Sequence, residues 1–374
     1  MQDLLIVGGY GVVGRRIAEA LAPDYPERVV LAGRNRARAD ATAAHIGHGT
    51  CGRVIDINDA QSIAAALEGV STVISCIDQP GRKLLWAAAR RGLGYTDITP
   101  HLTELGRGAA YDEIDAAART SGARLVLGTG IVPGISNVVV RALSDALGGA
   151  EEIETALLLT ASDISGPASF DYFLQELTMR FDIRLDGVDY PTRAFSDPRR
   201  IEFPAPVGPR LAYLFPFSDQ VLYPRTLGAR TVLTRLAIEP QWMASLLALL
   251  ARSGLATIAA HESIRHAIAQ RRKDRPSGEG APFALRVDVR RNGRARCATL
   301  LGRTQADAAA AGASEIGRLL IDGAVGVPGA LMPEQIADPA PFLARLSRRG
   351  LHVAFPDAGS DALTDINVGR RAAA

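Results

Sequence analysis

Four glycines near the amino terminus have the spacing that a bound dinucleotide requires. The apolar strand Leu4–Val7 runs into Gly8-Gly9-Tyr10-Gly11-Val12-Val13-Gly14, and an amphipathic helix follows. Glycine lets the backbone turn tightly and approach a pyrophosphate, and the free N–H groups of a helix N-terminus bind its charge. Both Gly9-x-Gly11-x-x-Gly14 and Gly8-x-x-Gly11-x-x-Gly14 fit, and we favour the second because the strand closes at Val7. Placed between a first strand and a first helix, the run predicts a dinucleotide site.

The end of the second strand indicates which dinucleotide is bound. It reads Leu31-Ala32-Gly33-Arg34-Asn35-Arg36 and lacks the acid with which NAD enzymes usually hold the ribose hydroxyls. Arg34 can pair with a 2′-phosphate and lie against the adenine, and Asn35 or Arg36 can add a donor. The alternative is that these arginines are solvated residues at the start of a helix, although positive charge is unfavourable at a helix N-terminus. The pattern therefore favours NADP (NADPH).

Residues after the third and fourth strands complete the expected cofactor site. Asp56 can accept a hydrogen bond from the adenine amino group, or it can cap the next helix, and the sequence leaves both open. Ile57 follows Asp56 and is included in the same site. Cys76 ends the fourth strand and is expected beside the cofactor ribose, as a small packed residue.

The end of the fifth strand carries the candidate catalytic groups, Tyr95 and Asp97, with Thr99 as a candidate substrate contact. In a parallel sheet these positions lie beside the expected nicotinamide. The Asp97 carboxyl could exchange the proton that accompanies hydride transfer if burial raises its pKa. The alternative for Asp97 is a helix cap or a strand-end hydrogen bond. His101 is interpreted as a loop residue.

Two other kinds of site are excluded by spacing. Short-chain dehydrogenases need Tyr-x-x-x-Lys, but Gln79 and Ala269 stand four residues before the lysines Lys83 and Lys273. The three cysteines are far apart and form no CxxC pair, so we expect neither a metal site nor a disulfide framework. This cysteine usage fits a reducing, cytoplasmic location.

The substrate side is expected in the stretch Ser218–Arg225, which is polar and aromatic and precedes a strand. Arg225 could clamp a substrate carboxylate through two hydrogen bonds, with Tyr223 beside it, and Arg230 is a second candidate. A solvated or ion-paired arginine is the alternative.

Alternating strands and helices must position the cofactor residues, and this alternation builds a doubly wound parallel sheet. The predicted strands are Leu4–Val7, Val29–Ala32, Val54–Ile55, Thr72–Cys76, Tyr95–Ile98 and Leu125–Leu127. The predicted helices between them are Val12–Leu21, Ala37–Ile46, Ile63–Leu67, Lys83–Arg91 and Ala110–Thr120.

The pattern changes after Gly134 to longer strands, which predicts a mixed α+β second domain. A hairpin is expected over Phe283–Leu301, because Asn292-Gly293 supplies the positive φ angles of a type I′ turn. The Pro- and Arg-rich stretch Tyr190–Pro209 is interpreted as a long excursion over the substrate side. The expected fold class is therefore α/β, a Rossmann sheet plus an α+β domain.

The overall charge excludes one class of partner. The 374 residues carry 42 Lys and Arg against 40 Asp and Glu, so no broad basic surface for nucleic acid is expected. The apolar stretch Trp242–Ala260 is broken by Arg252, Ser253 and Gly254, which leaves runs too short to cross a bilayer. We interpret it as a buried or dimer-interface helix rather than a membrane-surface one, and expect a homodimer acting on a small molecule.

Several of these stretches resemble the saccharopine dehydrogenase-like family, of the glutamate-forming, saccharopine reductase type. They are Gly8–Gly14 with Arg34, Val73–Cys76, Gly94–Ile98, Gly128–Asn137 and, near the C-terminus, Gly329–Gly350. The resemblance implies an NADP-binding Rossmann domain over residues 1–135, a substrate and dimerisation domain over 136–325, and a segment over 326–374 that packs back on the first domain. It also implies hydride transfer to or from an imine or secondary amine.

Three functions therefore remain open at this point. The first is an NADP-dependent reductase of the saccharopine reductase type. The second is a membrane-associated, enoyl-type reductase of a lipid intermediate, raised by the apolar stretch from Trp242. The third is a non-catalytic NADP sensor, which a complete second domain disfavours because a sensor needs no substrate chamber.

Overall fold

A computed structural model describes residues 3–98, 109–161, 176, 179–253, 282–336 and 338–356. The chain forms two compact units. Unit 1 consists of Met1–Val138 and Ala306–Arg349, and unit 2 of Val139–Gln305 and Gly350–Ala374. The first boundary lies close to the expected residue 135, whereas the second lies earlier than the expected residue 325.

Unit 1 is built on a parallel sheet of seven strands among the described residues. The strands are β1 (Asp3–Val7), β2 (Val29–Gly33), β3 (Cys51–Val54), β4 (Val70–Ser75), β5 (Gly94–Asp97), β6 (Arg124–Val126) and β15 (Gly329–Leu331). Their spatial order is β15-β6-β5-β4-β1-β2-β3, which contains the Rossmann order 3-2-1-4-5-6. The predicted doubly wound sheet is confirmed.

Helices cover both faces of this sheet. They are α1 (Val12–Leu21), α2 (Arg36–Ile46), α3 (Ala60–Ala66), α4 (Lys83–Arg90), α5 (Ala109–Ser121), α9 (Gln305–Ile321) and α10 (Pro339–Arg348), while α6 (Ile135–Leu147) runs across the unit boundary. Because both faces are covered, β1 and β2 are continuous apolar runs rather than alternating ones. Ile6, Ile17 and Ile74 form one core cluster with Ala310 and Ala313 of α9.

The predicted bounds of the first helix agree with the observed ones, whereas those of the third strand differ. We predicted it at Val54–Ile55, and it spans Cys51–Val54. The error arises because β3 is an edge strand with the burial pattern exposed, buried, intermediate, exposed, so it lacks the apolar run by which the other strands are recognised.

The C-terminal part of unit 1 adds the last strand. β15 pairs in parallel with β6, with Ala330 opposite Leu125. The hydroxyl of Tyr111 donates to the carbonyl of Ala330 over 2.6 Å. α9 and α10 are tied by Glu315, which is 1% exposed and lies 3.0 Å from the Arg349 guanidinium.

Unit 2 contains a mixed sheet. Its strands are β7 (Glu152–Thr160), β8 (Arg180–Leu185), β9 (Val188–Arg193), β10 (Ser196–Phe203), β11 (Gly208–Leu214), β12 (Thr231–Glu239), β13 (Phe283–Arg291), β14 (Arg294–Gly302) and β16 (Val353–Ala354). The main path is β10-β11-β12-β7-β13-β14-β16, and β8 pairs with β12 and β9. Among the described strands of this second sheet, only β12 and β7 pair in parallel. The expected mixed α+β architecture is confirmed.

The predicted hairpin is also present. β13 and β14 pair in antiparallel fashion, and Asn292 and Gly293 have φ angles of 49° and 71°. Positive φ at both central positions is the geometry of a type I′ turn, as the Asn-Gly pair predicts.

The interpretation of Tyr190–Pro209 as a long excursion is wrong. These residues form the end of β9, all of β10 and the start of β11, with Ile201 and Phe203 buried. The strands were not recognised because Arg199 and Arg200 lower the apolar content of this stretch. Arg199 is nevertheless part of the sheet, where it donates to Glu154 over 2.9 Å.

Two helices of unit 2 lie near β12: α7 (Asp219–Thr226) and α8 (Gln241–Ser253). α8 contains the start of the apolar stretch from Trp242, and its remainder beyond residue 253 lies outside the described residues. Trp242, Leu246 and Leu249 are 65%, 44% and 64% exposed. Among the described residues, no helix has the length and apolar character to cross a membrane.

Candidate functional site

The glycine run forms a tight turn between β1 and α1. Gly8 has a φ of 80°, and the N–H of Gly11 donates to its carbonyl over 2.9 Å. α1 begins at Val12, with Gly11 as N-cap and no side-chain cap. The N–H groups of the first helical turn are therefore not occupied by a capping side chain, as an anion site requires.

Side chains are excluded at two of these glycines for different reasons. At Gly14 a Cβ atom would lie 2.4 Å from the Gly8 carbonyl oxygen, so the helix can pack against the turn only without one. At Gly8 the positive φ disfavours a side chain, and a Cβ would lie 2.7 Å from Cγ2 of Ile77. The cradle thus fits the pyrophosphate of a dinucleotide, since a Cβ would fill it.

Arg34 and Arg36 lie at the junction of β2 and α2 and are both exposed. Arg36 is the first residue of α2 and pairs with Asp40, with 2.7 Å between Nε and Oδ2. Asn35 is the N-cap, and its Oδ1 accepts from the N–H of Arg38 over 3.0 Å. The first turn of α2 contains no acid. Of the two arginines predicted at this turn, Arg36 forms an ion pair, whereas Arg34 pairs with no carboxylate among the described residues.

A contact between an aromatic and a basic side chain lies at the same turn and was not predicted. The hydroxyl of Tyr10 accepts from the N–H of Asn35 over 3.3 Å, and the guanidinium of Arg38 lies 4.9 Å from the centre of the Tyr10 ring. Arg38 stands two residues beyond the predicted set. The absence of acidic residues from the first turn of α2 is the sequence signal that could have added Arg38 to the predicted cofactor site.

Asp56 lies after β3, with its side chain partly buried. Its Oδ1 accepts from the N–H of Asn58 over 3.0 Å, and the N-cap of α3 is Asp59 instead. The alternative role of Asp56 as a helix cap is therefore wrong, because the chain makes one more turn before the helix begins. Ile57 is partly buried beside it.

Cys76 follows β4, and its N–H donates to the carbonyl of Val7 over 2.8 Å. Burial, with a smaller contribution from the charge of Asp97, raises the pKa of the thiol to about 12. The thiol is therefore protonated at neutral pH and is not a nucleophile.

Tyr95 and Asp97 are brought together on the same face of β5, as alternation along a strand requires. The hydroxyl of Tyr95 donates to Oδ2 of Asp97 over 2.9 Å. Tyr95 is fully buried and Asp97 is 3% exposed. Burial, then the charge of Asp97, raises the pKa of Tyr95 well above its usual value.

Gln79 is a member of this cluster that sequence reasoning missed. Its Nε2 donates to the Tyr95 hydroxyl over 2.6 Å and to Oγ of Ser75 over 2.9 Å. Its Oε1 accepts from the N–H of Leu85 in α4 over 3.3 Å. No periodicity marks a glutamine in the loop after β4, so only the fold identifies it.

The other carboxylate oxygen of Asp97 binds the loop after β6. The N–H of Gly128 donates to Oδ1 over 3.0 Å, and the N–H of Thr129 donates to the Asp97 carbonyl over 2.7 Å. The sequence left a strand-end hydrogen bond open for Asp97, and this bond is present.

The stretch Pro133–Asn137 continues this loop. Asn137 Oδ1 accepts from the N–H of Gly134 over 2.7 Å, and its Nδ2 donates to Oε2 of Glu334 over 2.8 Å. Asn137 and Glu334 are fully buried. The loop after β6 is thereby joined to the turn after β15.

The remaining predicted residues belong to unit 2 or lie outside the described residues. Tyr223 and Arg225 are on α7, with Tyr223 fully buried and Arg225 exposed in the last turn. Thr99 and His101 lie outside the described residues. In the part of the chain that is described, no group of three or more His, Cys, Asp or Glu side chains is arranged to hold a metal ion.

Residues 4–123 match the family model for the saccharopine dehydrogenase NADP binding domain. The resemblance based on the glycine turn, Arg34 and the strand ends is confirmed for this part of the chain. The cofactor of the domain is NADP, as the missing acid after β2 predicted.

One solved structure shows that the similarity in fold extends over most of the chain. Apo histidine-tagged saccharopine dehydrogenase (L-Glu forming) from Saccharomyces cerevisiae is 15% identical, with 95% of this chain and 99% of that chain covered and a TM-score of 0.67. DAP dehydrogenase from C. glutamicum, in complex with DAP, is 14% identical, with 93% and 98% covered and a TM-score of 0.43. No curated protein sequence matches the chain.

Proposed function

We propose that the protein is an NADP-dependent oxidoreductase that transfers hydride between the nicotinamide and an imine or secondary amine of a small, carboxylate-bearing substrate. The observation that carries the proposal is the buried Tyr95–Asp97 pair at the carboxyl end of β5, in the same unit as the glycine turn. Ligands of such sheets bind outside the carboxyl ends of the strands. A carboxyl at this edge can supply the proton that hydride transfer to an imine requires.

The cofactor supplies the hydride donor or acceptor when it is bound, and the chain supplies binding and proton transfer. We assign the pyrophosphate to the glycine turn and the N-terminus of α1, where Gly14 allows the close approach. We assign the 2′-phosphate to Arg34, with Asn35 and Arg36 at the same turn. Asp56 and Ile57 then border the adenine, and Cys76 borders the ribose.

Asp97 is the group that we assign to proton transfer. Imine reduction adds a hydride to carbon and a proton to nitrogen, and the reverse reaction removes both. In the oxidative direction a carboxylate oxygen of Asp97 takes the proton from the amine nitrogen, and in the reductive direction it returns that proton. Tyr95 remains protonated because its pKa is raised, and its O–H···Oδ2 bond orients the carboxylate.

We assign substrate and dimer contacts to unit 2. We propose that the guanidinium of Arg225, which is exposed in the last turn of α7, binds a substrate carboxylate; Tyr223 lies two residues before it on the same helix. Thr99, two residues beyond Asp97, stays a candidate substrate contact. For the homodimer we propose the exposed apolar residues of α8, because such residues mark interfaces. The free cysteines support a cytoplasmic location.

The test is a screen of amine and α-keto acid pairs for NADPH oxidation by the full chain. We expect turnover with at least one pair, and the same product oxidised with NADP⁺ in the reverse direction. Replacing Asp97 by Asn should lower turnover by about 10²–10⁴-fold but leave NADPH binding intact. Inactivity with every pair, although NADPH binds, would contradict the proposed reaction.

One observation favours a second candidate, a membrane-associated enoyl-type reductase of a lipid intermediate. Trp242, Leu246 and Leu249 recur at helical spacing on α8 and are all exposed. The two functions are separated by adding enoyl esters to the same screen, together with a vesicle sedimentation assay. Turnover of an enoyl ester with vesicle binding would favour the second candidate, whereas NADPH binding with no turnover at all would favour a sensor.

A further inference from the structure

The turn from β2 into α2 carries more positive charge than the acids around it neutralise. Arg34, Arg36 and Arg38 are all exposed, and the first turn of α2 holds no acid. Asp40 pairs with Arg36 over 2.7 Å. Within the described ranges, neither Arg34 nor Arg38 pairs with a carboxylate. Two uncompensated guanidiniums at a helix N-terminus are unfavourable unless an anion binds there.

The Arg38 side chain is also held in place, which distinguishes it from a freely solvated arginine. Its guanidinium carbon lies 4.9 Å from the centre of the Tyr10 ring, within the range of a cation–π contact. Its backbone N–H is fixed by Oδ1 of Asn35 over 3.0 Å. The contact therefore orients Arg38 toward the glycine turn, where Tyr10 lies.

Tyr10 is in turn fixed against the end of β2. Its hydroxyl accepts from the N–H of Asn35 over 3.3 Å. A Cβ atom at Gly33 would lie only 2.4 Å from Cε1 of the Tyr10 ring, so the last residue of β2 leaves room for the ring because it has no side chain. Tyr10 thus connects the glycine turn with the turn that carries Arg34 and Arg38.

We propose that Arg38, held on the ring of Tyr10, is a second specificity-determining residue for the 2′-phosphate, in addition to Arg34. Tyr10 is a positioning residue, because it acts through the Arg38 guanidinium. A phosphate monoester carries up to two negative charges at neutral pH, which two guanidiniums match better than one. Arg36 contributes less, since Asp40 already neutralises it. The inference concerns the NADP site alone and does not depend on which reaction the protein catalyses.

The test measures binding by calorimetry with four ligands: NADPH, NADH, 2′,5′-ADP and 5′-AMP. 5′-AMP differs from 2′,5′-ADP only by the 2′-phosphate, so the ratio of the dissociation constants of 5′-AMP and 2′,5′-ADP isolates the contribution of that group. We expect Arg38→Ala to lower this ratio by about 10-fold or more, as loss of a charge-assisted hydrogen bond does. Arg119→Ala is the matched control, because Arg119 is as exposed as Arg36 and forms the same kind of i,i+4 ion pair, with Asp115 on α5; it should leave the ratio unchanged.

Two tyrosine variants test the positioning role. Tyr10→Phe keeps the ring under Arg38 and should retain most of the preference for 2′,5′-ADP. Tyr10→Leu removes the ring and should lower the preference in the same direction as Arg38→Ala. In the double variant Arg38→Ala/Tyr10→Leu the two losses should not add, because both remove one contact.

Two results would overturn the proposal. One is an equal weakening of 2′,5′-ADP and 5′-AMP binding by Arg38→Ala, which would make Arg38 a general contact. The other is an unchanged ratio in Arg38→Ala, with Arg34→Ala alone removing the preference. Thermal unfolding of each variant without ligand identifies a folding defect, and Arg38→Lys, which keeps the charge, then replaces a variant that fails to fold.

Discussion

The hydroxyl of Tyr95 donates to Oδ2 of Asp97 over 2.9 Å, while the N–H of Gly128 donates to Oδ1 over 3.0 Å. Both oxygens of a carboxylate that is 3% exposed are therefore held by donors from the ends of two neighbouring strands. Gln79 completes the arrangement by donating to the Tyr95 hydroxyl. A carboxylate fixed in this way has one orientation, which is what a group that exchanges a proton with a bound substrate needs.

Replacing Tyr95 by Phe tests the stability that this arrangement provides. We expect a loss of about 1–3 kcal/mol in the free energy of unfolding, because a buried carboxylate oxygen loses its donor. The pKa of Tyr95 is raised in the folded state, so its contribution is complete below pH 10.0, the usual value, and is lost as the pH rises toward the folded value. Urea unfolding at pH 7 and near pH 11 should thus show a smaller difference between the two proteins at the higher pH. A difference that grows with pH would contradict this assignment.

Replacing Asp97 by Asn tests its proposed part in proton transfer. The amide keeps the shape and can still accept from Gly128, so the protein should fold and bind NADPH as before. We expect kcat to fall by about 10²–10⁴-fold, the usual contribution of a positioned acid or base. The control is Thr96→Val, which removes a buried hydroxyl bonded to Thr129 on the opposite face of β5. Equal losses of kcat in the two variants would mean that the effect is structural.

Replacing Gly14 by Ala tests the close approach of α1 to the glycine turn. The new Cβ would lie 2.4 Å from the Gly8 carbonyl oxygen, so the turn must shift. We expect NADPH to bind more than about tenfold more weakly, which corresponds to about 1.4 kcal/mol. Gly11→Ala is the matched control, because its Cβ would lie 3.1 Å from the same oxygen and needs only a small adjustment. Titration of NADPH fluorescence measures both, and a weaker effect at Gly14 than at Gly11 would exclude the packing argument.

Replacing Arg34 by Ala should separate the two dinucleotides. NADPH binding should weaken by about 10- to 100-fold, as expected for a lost charge-assisted hydrogen bond, while NADH binding changes by less than about 3-fold. The same fluorescence titration with each cofactor provides the measurement. If both dinucleotides lose affinity equally, Arg34 contacts the adenine or ribose rather than the 2′-phosphate.

Alkylation distinguishes the cysteines. The pKa of Cys76 is raised from 9.0 to about 12 by burial, so almost none of its thiol is ionised at pH 8. We expect iodoacetamide to modify the exposed Cys51 well before Cys76, as followed by mass spectrometry of peptides. In urea the two should react at similar rates. Fast modification of Cys76 in the folded protein would contradict the raised pKa of its thiol.

Particular elements show how much of the fold could be predicted from the sequence. The bounds of α1 and the type I′ turn at Asn292-Gly293 follow from local patterns, because each depends on residues close together in the chain. The alternation of strands and helices predicted a doubly wound parallel sheet, whereas the order of its strands depends on pairing between distant segments. β3 and the strands around Tyr190–Pro209 were misjudged, since arginines and exposed positions mask their alternation.

The sequence by itself predicted that the cofactor is NADP, and it predicted a dinucleotide site between β1 and α1. Glycine spacing and a missing acid are local features, and the energy of a tight turn or of a phosphate contact depends on them directly. Only the tertiary structure decided which side chains meet at the strand ends. The hydrogen bonds of Asp97 with Gly128 and of Asn137 with Glu334 join residues 31 and 197 positions apart. Such contacts form only where the packing of the sheet brings distant segments to one edge, and no local pattern encodes that distance.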